Sequence, residues 1–141
     1  MKRQTFLKLT GLSPARLQNW TEAGILHPAT RPGRPHNYTL RDAIRAGFIL
    51  EILARGFSLA TAENLSRRVA DPKPPPPDTV ALITGRSQTK GQGRVHMEAP
   101  RVEIIPEGEA LKHLTQQPGP WYLIKVGELA ADLRRRYRRS K

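Results

Sequence analysis

Hydrophobic residues in the first half of the chain recur every three or four positions, the spacing of helices that bury one face. Residues 4–9 predict a short helix that Gly11 ends. Ser13 followed by Pro14 offers an N-cap and a proline at the first helical position, so a second helix is predicted to begin there. Gly24 is placed to end it in a left-handed conformation. Two short helices joined by a tight turn that contains glycine are typical of a helix-turn-helix.

Two more helices are predicted before the middle of the chain. Thr39 can cap one from about Leu40 to Arg55, and Ser58 can cap another from about Leu59 to Ala70. The first is apolar around almost its whole circumference, through Phe48, Ile49, Leu50, Ile52 and Leu53. Such a helix must be covered on more than one side. We therefore expect it to be the central helix of the domain and to contact the second half or a second subunit.

Two stretches of the chain are rich in proline. Residues 27–37 contain three prolines, one glycine and four basic or potentially basic side chains, which predicts an exposed loop with its tip at 31–34. Residues 71–78 contain five prolines, whose fixed backbone angles and missing amide protons favour an extended, semi-rigid spacer. The second stretch divides the chain into residues 1–71, a proline-rich linker at 72–78, and residues 79–141.

The second half carries runs of β-branched and aromatic residues bounded by glycine or proline. The predicted strands are Thr79–Thr84, Val102–Ile105 and Trp121–Val126. Residues 85–94 have little to bury and are expected to be mobile. Together with the helical first half, these strands predict an α+β fold with a small sheet in the C-terminal region.

Two helices are predicted around the last strand. Glu107–Leu114 predicts a short helix, and apolar residues at helical spacing from Val126 to Tyr137 predict a final one. Five arginines give this final helix a dense basic end: Arg134, Arg135, Arg136, Arg138 and Arg139. They are expected to contact the DNA backbone without sequence specificity, although a solvated tail is the plainer interpretation of such a run.

The charge of the chain narrows the class of partner. Lys and Arg number 24 and Asp and Glu 12, a formal net charge of +12 over 141 residues. This excess favours a polyanionic partner, most commonly a nucleic acid, although a membrane surface or an acidic protein would also fit. The absence of cysteine excludes disulfides and thiolate chemistry. Without an apolar signal or spanning segment, we expect a cytoplasmic, nucleoid-associated protein with no membrane contact.

Catalytic and cofactor motifs are absent from the sequence. The four histidines, His27, His36, His96 and His113, do not have metal-ligand spacing, and the carboxylates form no evident acid–base pair. The glycine-rich residues 85–93 lack the Gly-Lys-Ser/Thr ending of a phosphate-binding loop. We therefore expect no enzymatic activity, no metal and no cofactor.

A set of short motifs spans residues 4–70. In order they are Thr10-Gly11-Leu12-Ser13, Leu17, Trp20, Gly24-Ile25-Leu26, Pro28, Tyr38, Asp42 and Gly56-Phe57-Ser58-Leu59. In order and spacing this set resembles the DNA-binding domain of MerR-family regulators. The resemblance implies a winged helix-turn-helix, in which the helix after Ser13 reads the major groove and the proline-rich loop forms the wing. The expected architecture is thus this N-terminal domain, the linker, and a small β-containing region ending in a basic helix.

This chain departs from the family pattern at five positions. Gln18 stands in the place of an arginine, Asn19 and Trp20 replace paired tyrosines, Thr21 replaces a glutamate, and His36 takes the place of the wing arginine. Effector-responsive members also continue into a long helix that forms an antiparallel coiled-coil dimer. The proline run blocks that route here, so the dimer geometry of the family is not carried over.

The candidate DNA-binding residues fall into two groups. In the second helix they are Ser13, Ala15, Arg16, Gln18, Asn19 and Trp20, and in the loop they are Arg31, Arg34, His36 and Tyr38. Arginine can read guanine, and glutamine or asparagine can read adenine, with two hydrogen bonds each. Trp20 lies three residues after Leu17, and this spacing favours a place in the core rather than a contact with DNA. For Tyr38 two roles stay open: a ring packed in the core, or a hydroxyl that contacts a phosphate.

These observations lead to one principal hypothesis and two alternatives. The principal one is a sequence-specific double-stranded DNA-binding transcriptional regulator of bacterial or phage type, expected to be a homodimer. Its residues 79–141 would mediate association or bind a protein partner. The first alternative is an architectural DNA-binding protein, such as an excisionase-like recombination factor or a small terminase-like packaging subunit, since related domains occur in both. The second is a protein-binding module that retains the fold without the DNA activity.

Overall fold

The computed structural model describes residues 1–29, 32–69, 73–87, 97–116 and 121–141. Within these ranges the chain forms six helices and three strands, so the α+β class is confirmed. The elements are α1 (Arg3–Thr10), α2 (Pro14–Glu22), α3 (Leu40–Ala54), α4 (Leu59–Ser66), β1 (Thr79–Ser87), β2 (Met97–Pro106), α5 (Glu107–Gln116), β3 (Trp121–Ile124) and α6 (Val126–Arg139).

Several predicted boundaries were wrong. Strand β2 spans Met97–Pro106, longer at both ends than the predicted Val102–Ile105, and α5 continues beyond Leu114 to Gln116. Helix α4 ends at Ser66, and residues 67–69 form a turn. Strand β1 continues beyond Thr84 to Ser87, so 85–87 are not part of the predicted mobile loop; residues 88–94 of that loop lie outside the described residues. Strand β3 ends at Ile124 rather than Val126. Val126 is the first residue of α6, where its side chain is fully buried.

Local hydrogen bonds account for where the N-terminal helices begin. The Ser13 hydroxyl accepts from the backbone N–H of Arg16 at 3.2 Å at the start of α2. At the start of α3, Thr39 and Asp42 form a capping box: the Asp42 N–H donates to Thr39 Oγ1 at 3.1 Å, and the Thr39 N–H donates to Asp42 Oδ2 at 2.7 Å. These bonds satisfy amide groups that the first turn of a helix leaves without partners.

An antiparallel bridge closes the loop between α2 and α3 at its base. The N–H of Ala29 donates to the carbonyl of Asn37 at 3.0 Å, and the N–H of Asn37 donates back at 3.1 Å. Tyr38 follows the bridge, and its ring stacks on Phe6 of α1 with centroids 4.4 Å apart. The loop is therefore anchored to the helical core at its base.

The sheet has the order β2-β1-β3, with both neighbours antiparallel to β1. Val80, Ala81, Leu82 and Ile83 of the central strand are fully buried. An alternating strand buries only one of its faces, so complete burial means that β1 is covered on both sides.

A single hydrophobic core includes residues from both halves of the chain. Helix α3 contacts α1 and α4 within the first half and α6 from the second, as the apolar circumference predicted. An added Cβ at Gly47 of α3 would lie 3.2 Å from Leu129 of α6, which shows how closely the two helices approach. The division at 1–71, 72–78 and 79–141 stays a prediction about domains, but the two parts pack together.

The proline run also packs against α6. Pro75 is buried, and a Cβ added at Gly127 would overlap the carbonyl oxygens of Pro76 and Pro77. Real atoms do not approach this closely, so only glycine fits between the proline backbone and the first turn of α6.

We predict that Gly127→Ala destabilises the protein by about 1–3 kcal/mol, because the proline backbone or α6 must move to accommodate the methyl group. Gly108→Ala is the matched control, since Gly108 is also the second residue of a helix and has open space around it. The control should stabilise by up to roughly 1 kcal/mol through helix propensity. Equilibrium urea unfolding measures both, and equal effects would contradict the close contact.

Candidate nucleic-acid interface

Helix α2 has one buried face and one exposed polar face. Leu17 and Trp20 point into the core. The candidate residues that are exposed are Ser13, Ala15, Arg16, Gln18 and Asn19. The structure therefore brings five of the six candidates in this helix together on the surface, at and after its N-terminal end.

Two residues proposed for DNA contact are instead part of the core. Trp20 is 3% exposed, because the three-residue spacing from Leu17 places both side chains on the same face of α2. Tyr38 is 2% exposed and stacks on Phe6. The assignment of both aromatic rings to the DNA-contacting set is corrected: Trp20 packs α2 into the core, and Tyr38 packs the end of the loop against α1.

The hydroxyl of Ser13 is already engaged in the cap of α2, where it accepts from the N–H of Arg16. Its established role in the fold is therefore to begin the helix at this residue. Arg3 of α1 extends toward the same helix end, and its Nη2 donates to the carbonyl of Pro14 at 3.4 Å. Arg3 is a basic residue beside the candidate face that sequence reasoning did not include.

Gln18 is held by a neighbour that sequence reasoning also missed. Its Nε2 donates to Oε1 of Glu22, one turn later, at 2.8 Å. The spacing of four residues between an amide and a carboxylate was visible in the sequence and is the signal that could have found this pair. The bond orients the Gln18 amide. The Glu22 carboxylate also adds a negative charge beside the candidate surface.

A cleft of about 270 Å³ separates α2 from the loop that follows it. Its lining residues are Arg3, Leu17, Gln18, Thr21, Glu22, His36 and Tyr38. The hydroxyls of Thr21 and Tyr38 lie 3.4 Å apart at this cleft. The structure thus places the loop residue His36 and the helix residue Gln18 on the walls of one concave surface.

Besides Tyr38, the structure describes two of the loop candidates, Arg34 and His36. Arg34 and His36 are exposed, and Gly33 has a φ of +71°, a left-handed conformation that favours glycine at this turn. Arg31 lies outside the described residues. Two cationic or potentially cationic side chains of the loop are therefore presented to solvent near α2.

Comparison with known proteins agrees with this geometry. A family model described as MerR HTH family regulatory protein matches residues 1–68. Residues 1–68 are a MerR-type helix-turn-helix segment. No curated protein matches the chain. The match supports a DNA-binding segment of the helix-turn-helix type over residues 1–68.

The arginines of α6 lie outside the MerR-type segment. Arg135, Arg136, Arg138 and Arg139 are exposed and Arg134 is half-buried. Arg136 is paired with Asp132 one turn earlier, with Nη2 and Oδ2 2.6 Å apart. The other face of α6 buries Ala130 and Leu133, so the helix anchors the basic end on the core.

Among the residues that the structure describes, no group of three or more His, Cys, Asp or Glu side chains is arranged to hold a metal ion. In the same part of the chain, every helix is too short or too polar to span a bilayer.

We predict that Ser13→Ala costs about 0.5–2 kcal/mol of stability, because the mutation removes the acceptor for a helix N-terminal amide. Ser13→Gly should cost only a few tenths of a kcal/mol. Ser58→Ala is the matched control, since Ser58 caps α4 through Thr61 at the same distance of 3.2 Å, and it should cost a similar amount. Denaturant unfolding measures all three, and an unchanged midpoint for Ser13→Ala would contradict the capping role.

Proposed function

We propose that the chain is a sequence-specific double-stranded DNA-binding transcriptional regulator of bacterial or phage type. The observation that carries this proposal is the exposed polar face at the start of α2 within a MerR-type segment. In a helix-turn-helix, the N-terminal residues of the second helix contact base edges in the major groove. Ala15, Arg16, Gln18 and Asn19 are the residues that would lie there.

Direct readout would come from Arg16, Gln18 and Asn19. Each bidentate contact between such a side chain and a base contributes about 1–3 kcal/mol of discrimination. The bond from Gln18 to Glu22 would help to select one orientation of the amide before DNA binds. Ser13 would act mainly by setting where α2 begins.

The loop between α2 and α3 would act as the wing. Its base is closed by the bridge between Ala29 and Asn37; His36 lies on the wall of the cleft, and Arg34 is exposed to solvent. These side chains, with Arg31, would contact the flanking phosphates or the minor groove. Such contacts position the protein on DNA without specifying sequence.

The arginine-rich end of α6 would add affinity without sequence specificity. Each DNA phosphate that an arginine neutralises releases a counterion, and this release favours binding. Most of these guanidinium groups are exposed. The pairing of Arg136 with Asp132 reduces the contribution of that residue.

We also propose that the protein binds DNA as a homodimer, because one short recognition helix reads too few base pairs for useful selectivity. The C-terminal region would mediate association or bind a protein partner. In the part of the chain that the structure describes, β2 and β3 each pair with β1 on one side only, and Leu111 and Trp121 are exposed apolar residues. Unpaired strand edges and exposed apolar groups are typical of association surfaces.

Selection from random double-stranded DNA tests the specific-reader proposal. We expect the wild-type protein to enrich a motif. Arg16→Ala should relax one position of it, with a loss of about 1–3 kcal/mol against the preferred site. Lys112→Ala, which removes one positive charge from an exposed position of α5, should retain the motif. The proposal fails if the wild type enriches no motif or if the two variants behave alike.

A second variant tests the role of Glu22. Glu22→Gln removes a negative charge from the candidate surface, so we expect affinity for unrelated DNA to rise by roughly 1 kcal/mol, or about fivefold, at low salt. The same change alters the partner of the Gln18 amide and should broaden the base preference at one position. Glu109→Gln is the control, because it removes the same negative charge from a different helix, α5. Fluorescence anisotropy on specific and unrelated duplexes measures both, and a fall in nonspecific affinity for Glu22→Gln would count against this geometry.

One observation favours an architectural or assembly protein as a second candidate. Helix α4 ends at Ser66, and the later helix α6 packs on α3 of the same chain. In effector-responsive relatives the chain instead continues from the fourth helix into a long helix that forms the coiled-coil dimer. A regulator should protect two half-sites about 10 base pairs apart in a footprint. Continuous protection along the duplex, or ring-shaped oligomers in analytical ultracentrifugation, would favour the second candidate.

A further inference from the structure

The outer edge of strand β3 is open in the described part of the chain. The sheet has the order β2-β1-β3, so β3 pairs with β1 on one side only. Next to β3 lies a groove of about 460 Å³. Its lining residues come from the end of α3, from β3 and the residue after it, and from α6: Glu51, Arg55, Leu123, Ile124, Lys125, Glu128, Leu129 and Asp132. None of these belongs to β1, so the groove lies beside β3 and not over the centre of the sheet.

The two edges of the sheet differ in the features that normally block pairing with another chain. Strand β2 carries Glu98, Arg101 and Glu103, and α4 contacts it. It also contains Pro100, which lacks an amide proton. Charges, proline and a covering helix are the usual protection of a strand edge. Strand β3 has the sequence Trp-Tyr-Leu-Ile, without charge or proline, and is therefore the edge better suited to pairing.

The two faces of β3 are covered unequally. Alternation along a strand places Tyr122 and Ile124 on one face and Trp121 and Leu123 on the other. On the first face Tyr122 packs against Phe57, with ring centroids 5.3 Å apart, and Ile124 is buried. On the second face Trp121 is 41% exposed and Leu123 is half-buried. The edge therefore combines unpaired backbone groups with apolar side chains that still have surface to bury.

The charges around the groove are neutralised within the chain. Every charged side chain that lines it takes part in an ion pair: Glu51 with Arg55, Lys125 with Glu107 and Glu128, and Asp132 with Arg136. The chain as a whole has a formal net charge of +12, so two copies repel each other over much of their surface. The groove is a region where a second copy meets no excess of positive charge.

We propose that the edge of β3 and the adjoining groove form the surface through which two copies of this chain associate. The two β3 strands pair antiparallel across a two-fold axis and join the sheets into one of six strands. This inference rests on the homodimer proposed above and names its interface. A strand of four residues supplies few hydrogen bonds, so burial of Trp121, Leu123 and the groove provides most of the affinity.

Symmetry limits the register of this pairing. A two-fold axis perpendicular to the sheet keeps each face on its own side, so residues directly opposite each other must share a face. The axis therefore passes through Tyr122 or through Leu123, the two choices that pair three of the four residues of β3. In the first register Trp121 lies opposite Leu123 of the second copy, and in the other it lies opposite Lys125. Trp121 is inside the interface in both.

A chain without cysteine allows the axis to be tested by crosslinking. Tyr122→Cys and Leu123→Cys are made singly in the full chain. Residues opposite each other in an antiparallel pair have Cα atoms about 4.5–5.5 Å apart, a separation that a disulfide spans. After oxidation with copper phenanthroline, we expect one of the two variants to form a disulfide-linked dimer. Leu111→Cys is the control and should crosslink much more slowly, although Leu111 is 70% exposed, because α5 packs on β1 and β2.

Analytical ultracentrifugation of the full chain measures the strength of association. We expect Trp121→Lys to raise the dimer Kd by roughly thirtyfold, the effect of losing a buried aromatic anchor. Leu111→Lys makes the same kind of change at an exposed apolar position of α5 and should leave the Kd unchanged. In Trp121→Lys the one remaining tryptophan is Trp20, which is buried, so its fluorescence shows whether the core is intact.

The outcomes separate this inference from the proposed function. If the wild-type chain is a dimer but neither cysteine variant of β3 crosslinks and Trp121→Lys keeps the wild-type Kd, the β3 interface fails and the homodimer stands. Dissociation by Leu111→Lys alone would also overturn the β3 interface. If the wild-type chain is monomeric at its highest soluble concentration, the homodimer and this interface fail together. Sequence-specific reading by α2 is tested independently of both, by the selection from random DNA.

Discussion

The burial of α3 on several sides is the constraint on which the rest of the structure depends. Phe48, Ile49 and Ile52 of this helix are all fully buried, and contacts from α1, α4 and α6 surround it. A helix with an apolar circumference is stable in water only when such neighbours cover it. The helix-turn-helix half and the sheet-containing half therefore depend on the same helix, and the two halves approach closely where Gly47 of α3 faces Leu129 of α6.

The core also fixes the orientation of the candidate interface. Helix α2 has nine residues, too few to be stable alone, so its orientation is set by Leu17 and Trp20 in the core. The same packing leaves Arg16, Gln18 and Asn19 on the opposite side, in contact with solvent. The two buried side chains, Leu17 and Trp20, thus hold the polar face of α2, the face proposed to read DNA, in a fixed position.

Positive charge is distributed over distinct regions of the surface in the described part of the chain. Arg16 and Arg34 are exposed within the MerR-type segment, most arginines of α6 are exposed on the C-terminal helix, and Arg41, Arg45 and Arg67 line a cavity between α3 and α4. Exposed arginines on a helix are screened by salt and contribute little individually. Arg45 differs because its side chain is mostly buried and is held by hydrogen bonds to Ser66 and Glu63.

The sequence by itself determined the helix starts, most of the strands and the identity of the DNA-binding segment. Caps such as Ser13 and Thr39 and the left-handed Gly24 act through bonds within a few residues, so their effects can be predicted from neighbouring letters. Sequence alone also selected the polar positions of α2. It did not settle whether Trp20 and Tyr38 face DNA or the core, since the spacing and residue type allow both.

Only the tertiary structure decided these points and the long-range ones. It buried both aromatic rings, packed α6 on α3, and brought His27 to the side of Arg67 from forty positions away in the chain. Contacts of this kind depend on which faces of separate elements meet, and that is decided by the simultaneous burial of apolar surface throughout the molecule. No local pattern of residues contains that information.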